Sequence, residues 1–154
     1  MITLSIADLR RCRACELPAR VADLTRHLGR VPADDEAISL ATWWALHTTS
    51  VPDMWWSLGA AQPAEAAKRV AVVAACRAVR RVLPLARPRD RAICEAAILA
   101  AEGWLAGTHT VEQCREAMAA AEEAARDVRA RAPWSRAAQR ADLIELLAVE
   151  GGAP

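Results

Sequence analysis

The chain has no Phe, no Tyr and no Asn, and Lys68 is its single Lys. Without Phe and Tyr, six Trp are the only aromatic side chains, so its core combines many small residues with a few very large ones. Gly is sparse and Pro ordinary, at 6 and 8 of 154 residues, too few together for a collagen-like or Pro-Gly-rich disordered chain. No uncharged apolar run approaches the roughly 18 residues of a membrane-spanning helix, and no membrane partner is expected. Residues 1–13 carry Asp8 and three Arg where an export signal has an apolar stretch, so the expected setting is the cytoplasm. Basic and acidic groups nearly cancel, 20 against 19, and no overall field draws the chain to nucleic acid or anionic lipid. Five Cys are an odd number and fall mostly within helical repeats, which predicts reduced thiols rather than a disulfide framework.

What is present is helical periodicity, with Ala supplying about a quarter of the chain. No alternating segment bounded by Asn-Gly or Asp-Gly reads as a strand, so the fold class is all-α. From Val111 the apolar positions Cys114, Met118, Ala121, Ala125, Val128 and Ala132 follow in steps of three and four, one narrow seam. Thr110 and Gln113 make a capping box that starts this helix, and Pro133 stops it. Before it, residues 89–106 carry two adjacent seams, Ile93, Ala97, Ala100, Trp104 and Cys94, Ile98, Ala101, Leu105. Gly107 ends that helix, and the two form an antiparallel hairpin.

Residues 63–83 repeat the pattern with Val72, Cys76, Val79 and Leu83 inward. The first 60 residues read as four short helices: one opened by Ser5 and Asp8, one from Pro18 to Gly29, one over 34–46, and one from Ser50 and Asp53 to Gly59. A last helix over 134–149 turns Ala137, Ala141, Ile144, Leu147 and Ala148 inward. Residues 1–150 are therefore expected to form one domain, an up-and-down bundle of about six to eight Ala-rich helices. Short helices occupy 1–60 and longer ones 63–149, and 151–154 is expected to be a disordered tail.

Chemistry-bearing patterns are few. Cys12 and Cys15 with His27 offer three of the four ligands a tetrahedral zinc needs, and no second His lies nearby, so they are read as thiols on an early helix. His27, His47 and His109 stand in no nucleophilic motif, and there is no Gly-rich phosphate loop, HExxH or CxxCH. No catalytic residue, metal or cofactor is expected, and the chain is read as no enzyme.

Charge is arranged in blocks. Between residues 67 and 91 eight basic groups face only Asp90, and Arg69, Arg77, Arg80, Arg81, Arg87, Arg89 and Arg91 form the one sector that could track phosphates. The adjacent pairs Trp43, Trp44 and Trp55, Trp56 are 100° apart on a helix, so each pair spans two packing neighbours or leaves one ring partly exposed. An exposed ring near Met54 would be a protein-binding anchor, joined by the acids Glu112 and Glu116 of the hairpin.

The segment from Ala100 to Ala125, AAEGWLAGTHTVEQCREAMAAAEEAA, resembles the Ala-rich helical hairpin of a bacterial immunity-protein family, five-like in the polymorphic-toxin classification. Trp104, Leu105, Gly107, Thr110, Val111 and Arg115 carry the likeness. Val70 to Leu85, with Ala75-Cys76-Arg77 and Arg80-Arg81, and Ala138-Gln139 with Asp142-Leu143 are similar to uncharacterised Ala-rich helical domains of high-GC bacteria. The resemblance covers residues 70–147 and implies a helical fold and a toxin-immunity or defence-associated role. The further Ala- and His-rich helices usual in that family are missing here. The leading expectation is a non-enzymatic module that binds a protein partner, with self-association open. The alternative is an accessory subunit of a nucleoprotein assembly acting through the Arg sector.

Overall fold

The computed structural model describes residues 1–14, 16–46, 49–131 and 136–150, and of residues 123, 125–131 and 150 only the backbone. It is an all-α helical bundle. The helices are α1 (Ile6–Arg11), α2 (Leu17–Leu28), α3 (Leu40–Ala45), α4 (Val51–Ala60), α5 (Ala64–Val82), α6 (Pro88–Leu105), α7 (Val111–Arg131) and α8 (Arg136–Glu150), with a 3-10 turn at Leu83–Leu85. Two short strands, β1 (Thr3–Leu4) and β2 (Ile38–Ser39), pair antiparallel, with Thr3 opposite Ser39.

Packing divides the chain into two compact units. Unit 1 is Met1–Ala71 with Ala137–Pro154, and unit 2 is Val72–Arg136. The division between the units falls inside α5, and all but the first residue of α8 belongs with the short helices. The tail at 151–154 lies outside the described residues, as do Cys15, His47, Ala132, Pro133 and Trp134.

In unit 1 the sequence's caps act as written. Ser5 and Asp8 form a reciprocal capping box on α1, Ser50 and Asp53 form another on α4, and Gly29 ends α2 at a φ of 70°. The helix expected over 34–46 shrinks to α3. Ile38 and Ser39 join β1 instead, the Leu40 amide donates to the Ile2 carbonyl at 2.9 Å, and the Ala7 amide takes the Asp34 carbonyl at 2.7 Å. Those long-range bonds occupy groups a helix would need, and Ser39 then caps α3 by accepting from the Thr42 amide. On the other side of β1, Thr3 and Gln62 exchange backbone hydrogen bonds of 2.7 and 2.8 Å.

The inward face of α8 also differs from expectation. Asp142, Leu143, Leu146 and Leu147 are buried, whereas Ala137, Ala141, Ile144 and Ala148 face solvent. The Arg140 guanidinium sets this rotation by donating to the Thr49 and Trp44 carbonyls, both at 2.8 Å. Two seams of similar hydropathy compete on α8, and these two hydrogen bonds select one.

Unit 2 follows its periodicity more closely. Cys76, Leu83, Cys94, Ile98 and Ala124 form its core, with Val72, Val79, Ile93 and Ala101 packed against them. The Thr110 hydroxyl and Gln113 amide cap α7 reciprocally, at 3.2 and 2.8 Å. The α7 seam is turned: Ala121 and Ala124 are buried and Met118 is 63% exposed. The Cys114 Sγ donates to the Ala100 carbonyl at 3.1 Å, so α7 approaches the α6 backbone closely, and small side chains rather than Met fill that contact.

Candidate functional site

Trp43 and Trp44 are both buried because each indole has its own acceptor. Trp43 Nε1 donates to the Leu4 carbonyl at 2.8 Å, and Trp44 Nε1 to Ser57 Oγ at 2.9 Å. Ser57 Oγ in turn donates to the Met54 carbonyl, and Thr49 Oγ1 to the Trp43 carbonyl. Met54 is fully buried. Trp43, Trp44 and Met54 are therefore core residues, and none of the three is presented at the surface.

The second pair divides as adjacent residues on a helix can, with Trp55 half-buried and Trp56 exposed at 38%. Trp56 also lines a cavity of about 20 Å³, room for one water molecule, bordered by Trp43, Trp44, Thr49, Ser57 and the ion pair Arg20 with Asp53. That pair is 2.6 Å long and mostly shielded, and it ties α2 to α4. Partial burial acts to raise the Asp53 carboxyl, but hydrogen bonds from Ser50 and the Arg20 guanidinium outweigh it and hold the group below the usual carboxylate range.

Glu112 and Glu116 lie in unit 2, exposed on α7, with Glu112 paired to Arg115 at 3.0 Å. In the Arg sector, Arg80 pairs with Glu102. Arg91 donates through Nε to the Leu83 carbonyl at 3.2 Å and through Nη2 to the Pro84 carbonyl at 3.1 Å, sealing the turn after α5. Arg69, Arg77, Arg81 and Arg87 each have an interaction within the chain, and Arg89 is exposed.

Cys12 is exposed just after α1, and His27 is exposed in the last turn of α2. Their proposed companion Cys15 lies outside the described residues. Among the described residues no group of three or more His, Cys, Asp or Glu is placed to hold a metal ion, and no helix is long and apolar enough to cross a membrane. Cys12, Cys76, Cys94 and Cys114 are free thiols. His109 has a structural role: its Nδ1 lies 3.2 Å from Thr108 Oγ1, and its ring occupies the space over Gly103. A Cβ on Gly103 would come within 2.7 Å of two ring carbons.

The sequence reading missed Arg140 and Gly103, and it took Arg91 for a phosphate-tracking residue where the structure turns its guanidinium onto the carbonyls of Leu83 and Pro84. No local pattern marks an Arg that bonds carbonyls 91 and 96 residues away. A Gly inside an otherwise regular helix was a usable signal, because it costs about 1 kcal/mol against Ala unless something occupies the space of its side chain.

No family model, curated protein or solved structure matches this chain.

Proposed function

We propose that this chain is a non-enzymatic protein-interaction module, of the kind expected of an immunity or defence-associated accessory protein in the bacterial cytoplasm. The observation that carries the reading is Trp56. Trp56 is 38% exposed on a capped helix and borders the same small cavity as the two hydrogen-bonded indoles. Large aromatic side chains presented this way give binding energy at low entropic cost. The resemblance of residues 100–125 to an immunity-protein hairpin supplies the biological context. The Arg sector gives less support to the nucleoprotein alternative, since Arg80 and Arg91 already serve partners inside unit 2.

The test is affinity capture of the full chain from a high-GC bacterial host, with nuclease and salt controls, comparing wild type with Trp56→Ala. A specific protein that survives nuclease, and whose affinity falls about 30-fold or more in the variant, is the expected result. Capture of nucleic acid released steeply by salt, or a protein partner indifferent to Trp56→Ala, would overturn it.

A further inference from the structure

Among the described glycines, three have a reason within the chain. Gly29 and Gly107 take left-handed φ values of 70° and 76°, and Gly103 lies under the His109 ring. Gly59 has neither. It sits inside α4 without a left-handed φ, and a Cβ built on it would meet nothing within 4 Å. Helix propensity favours Ala at such a position, so the bare backbone of Gly59 is a cost that nothing inside the chain explains.

Gly59 follows Trp56 by three positions and Pro52 by seven, and all three are exposed, so they share one strip along α4. Trp43 and Trp44 donate to acceptors within the chain, whereas Trp56 Nε1 meets no acceptor among the described residues. The strip thus offers an unused donor and, one turn on, helix backbone with no side chain over it. It offers no free charge. Asp53, the single charged residue of α4, accepts from Arg20 through Oδ1 at 2.6 Å and from the Ser50 amide and hydroxyl through Oδ2 at 2.9 and 2.6 Å. A charged group laid over the strip would give up water without finding a counter-charge, so charge matching calls for an uncharged occupant. Bare helix backbone rewards an occupant whose own main chain comes within van der Waals reach, and the acceptor that every main chain brings is its carbonyl.

We propose that Pro52, Trp56 and Gly59 seat an uncharged peptide segment of a protein partner by its main chain. One carbonyl of the segment accepts from Trp56 Nε1, and the backbone beside it lies against Gly59 at a residue with a small side chain. This rests on Trp56 being the anchor of the partner surface, and adds that the anchor holds main chain rather than a charged side chain.

The test sorts a random peptide library displayed on phage against the full chain, with circular dichroism to verify that each variant keeps its helices. The peptides obtained should be uncharged where they bind. Their affinity should fall about tenfold or more with Gly59→Leu, which fills the open space, and about fivefold with Trp56→Phe, which keeps an aromatic ring and removes the donor. Gly59→Ala should raise the Tm of the free chain by up to about 4 °C while weakening the same peptides. Peptides lost with Trp56→Ala but indifferent to Gly59→Leu would overturn this inference and leave Trp56 as an anchor. Charged binding stretches, no peptide that depends on Trp56, or a lower Tm for Gly59→Ala would overturn it as well, and the capture experiment with the host's own proteins then decides separately on the anchor.

Discussion

In unit 1 the buried indoles of Trp43 and Trp44 take acceptors supplied by Leu4 and Ser57, which lie in other elements. In unit 2 the interior is Cys76, Leu83, Cys94, Ile98 and Ala124, small or aliphatic groups with little polar demand. A large amphipathic ring can be buried only where the rest of the chain delivers a partner, so unit 1 is fixed by specific long-range hydrogen bonds. Small side chains ask only for close approach, and unit 2 is fixed by helix periodicity. The same contrast runs through the connections. Arg140 bridges from α8 to the α3–α4 segment across more than 90 positions of sequence, whereas Arg91 seals a turn eight positions away.

The contrast can be pressed with substitutions. Trp44→Ala should cost about 3–5 kcal/mol in chemical denaturation, against about 0.5–1.5 kcal/mol for Ile98→Val in unit 2. Equal costs would mean that unit 1 depends on this buried indole no more than unit 2 depends on a single methylene. Arg140→Ala should cost about 1–3 kcal/mol by leaving the Thr49 and Trp44 carbonyls without their donor, and Arg140→Lys should recover only part of it, because one ammonium does not match a planar fork. Gly103→Ala should gain little or lose stability in the wild type, yet stabilise a His109→Ala chain by up to about 1 kcal/mol, since helix propensity favours Ala once the ring is gone. A double-mutant cycle on thermal unfolding reads that coupling.

Acid and alkali should separate the two units with the smallest effects. Asp8, Glu36 and Asp53 all belong to unit 1 and lie below the usual carboxylate range. The Ser5 hydroxyl lowers Asp8, and the Arg30 guanidinium lowers Glu36. For Asp53 burial works upward and is outweighed by Ser50 and Arg20. A lowered carboxyl adds stability above its unfolded value, about 4, and that stability is lost as pH falls through the folded value. Burial pushes the Cys76 and Cys94 thiols up, so their contribution is complete below about 8.5 and is lost as pH rises through the folded values. Residue-resolved amide exchange should therefore quicken first in α1 and α4 on acidification and first in the α5–α6 core on alkalinisation. The reverse order would sever the link between these groups and their units.

Much of the fold was legible in the sequence. Ser5 with Asp8, Ser50 with Asp53, Thr110 with Gln113, and Gly29 each mark a helix end through chemistry within four residues. The inward line Val72, Cys76, Val79, Leu83 follows from a period of 3.6 alone. Legibility failed where two answers had nearly equal local merit: residues 34–39 between helix and strand, α7 between Met118 and its Ala neighbours, and α8 between its two apolar faces. Of the candidate binding residues, Trp43, Trp44 and Met54 went inside because acceptors and space existed there, which their own spacing does not encode.

By itself the sequence determined the all-α class, the helix ends that carry their own caps and the composition of two unlike cores, because caps, turns and periodicity act over a few residues. Only the tertiary structure decided which faces are covered, which ring of each Trp pair reaches solvent, and that α8 belongs with the first unit. Those outcomes depend on hydrogen bonds and close contacts between residues far apart in the chain, and a linear pattern carries no register for them.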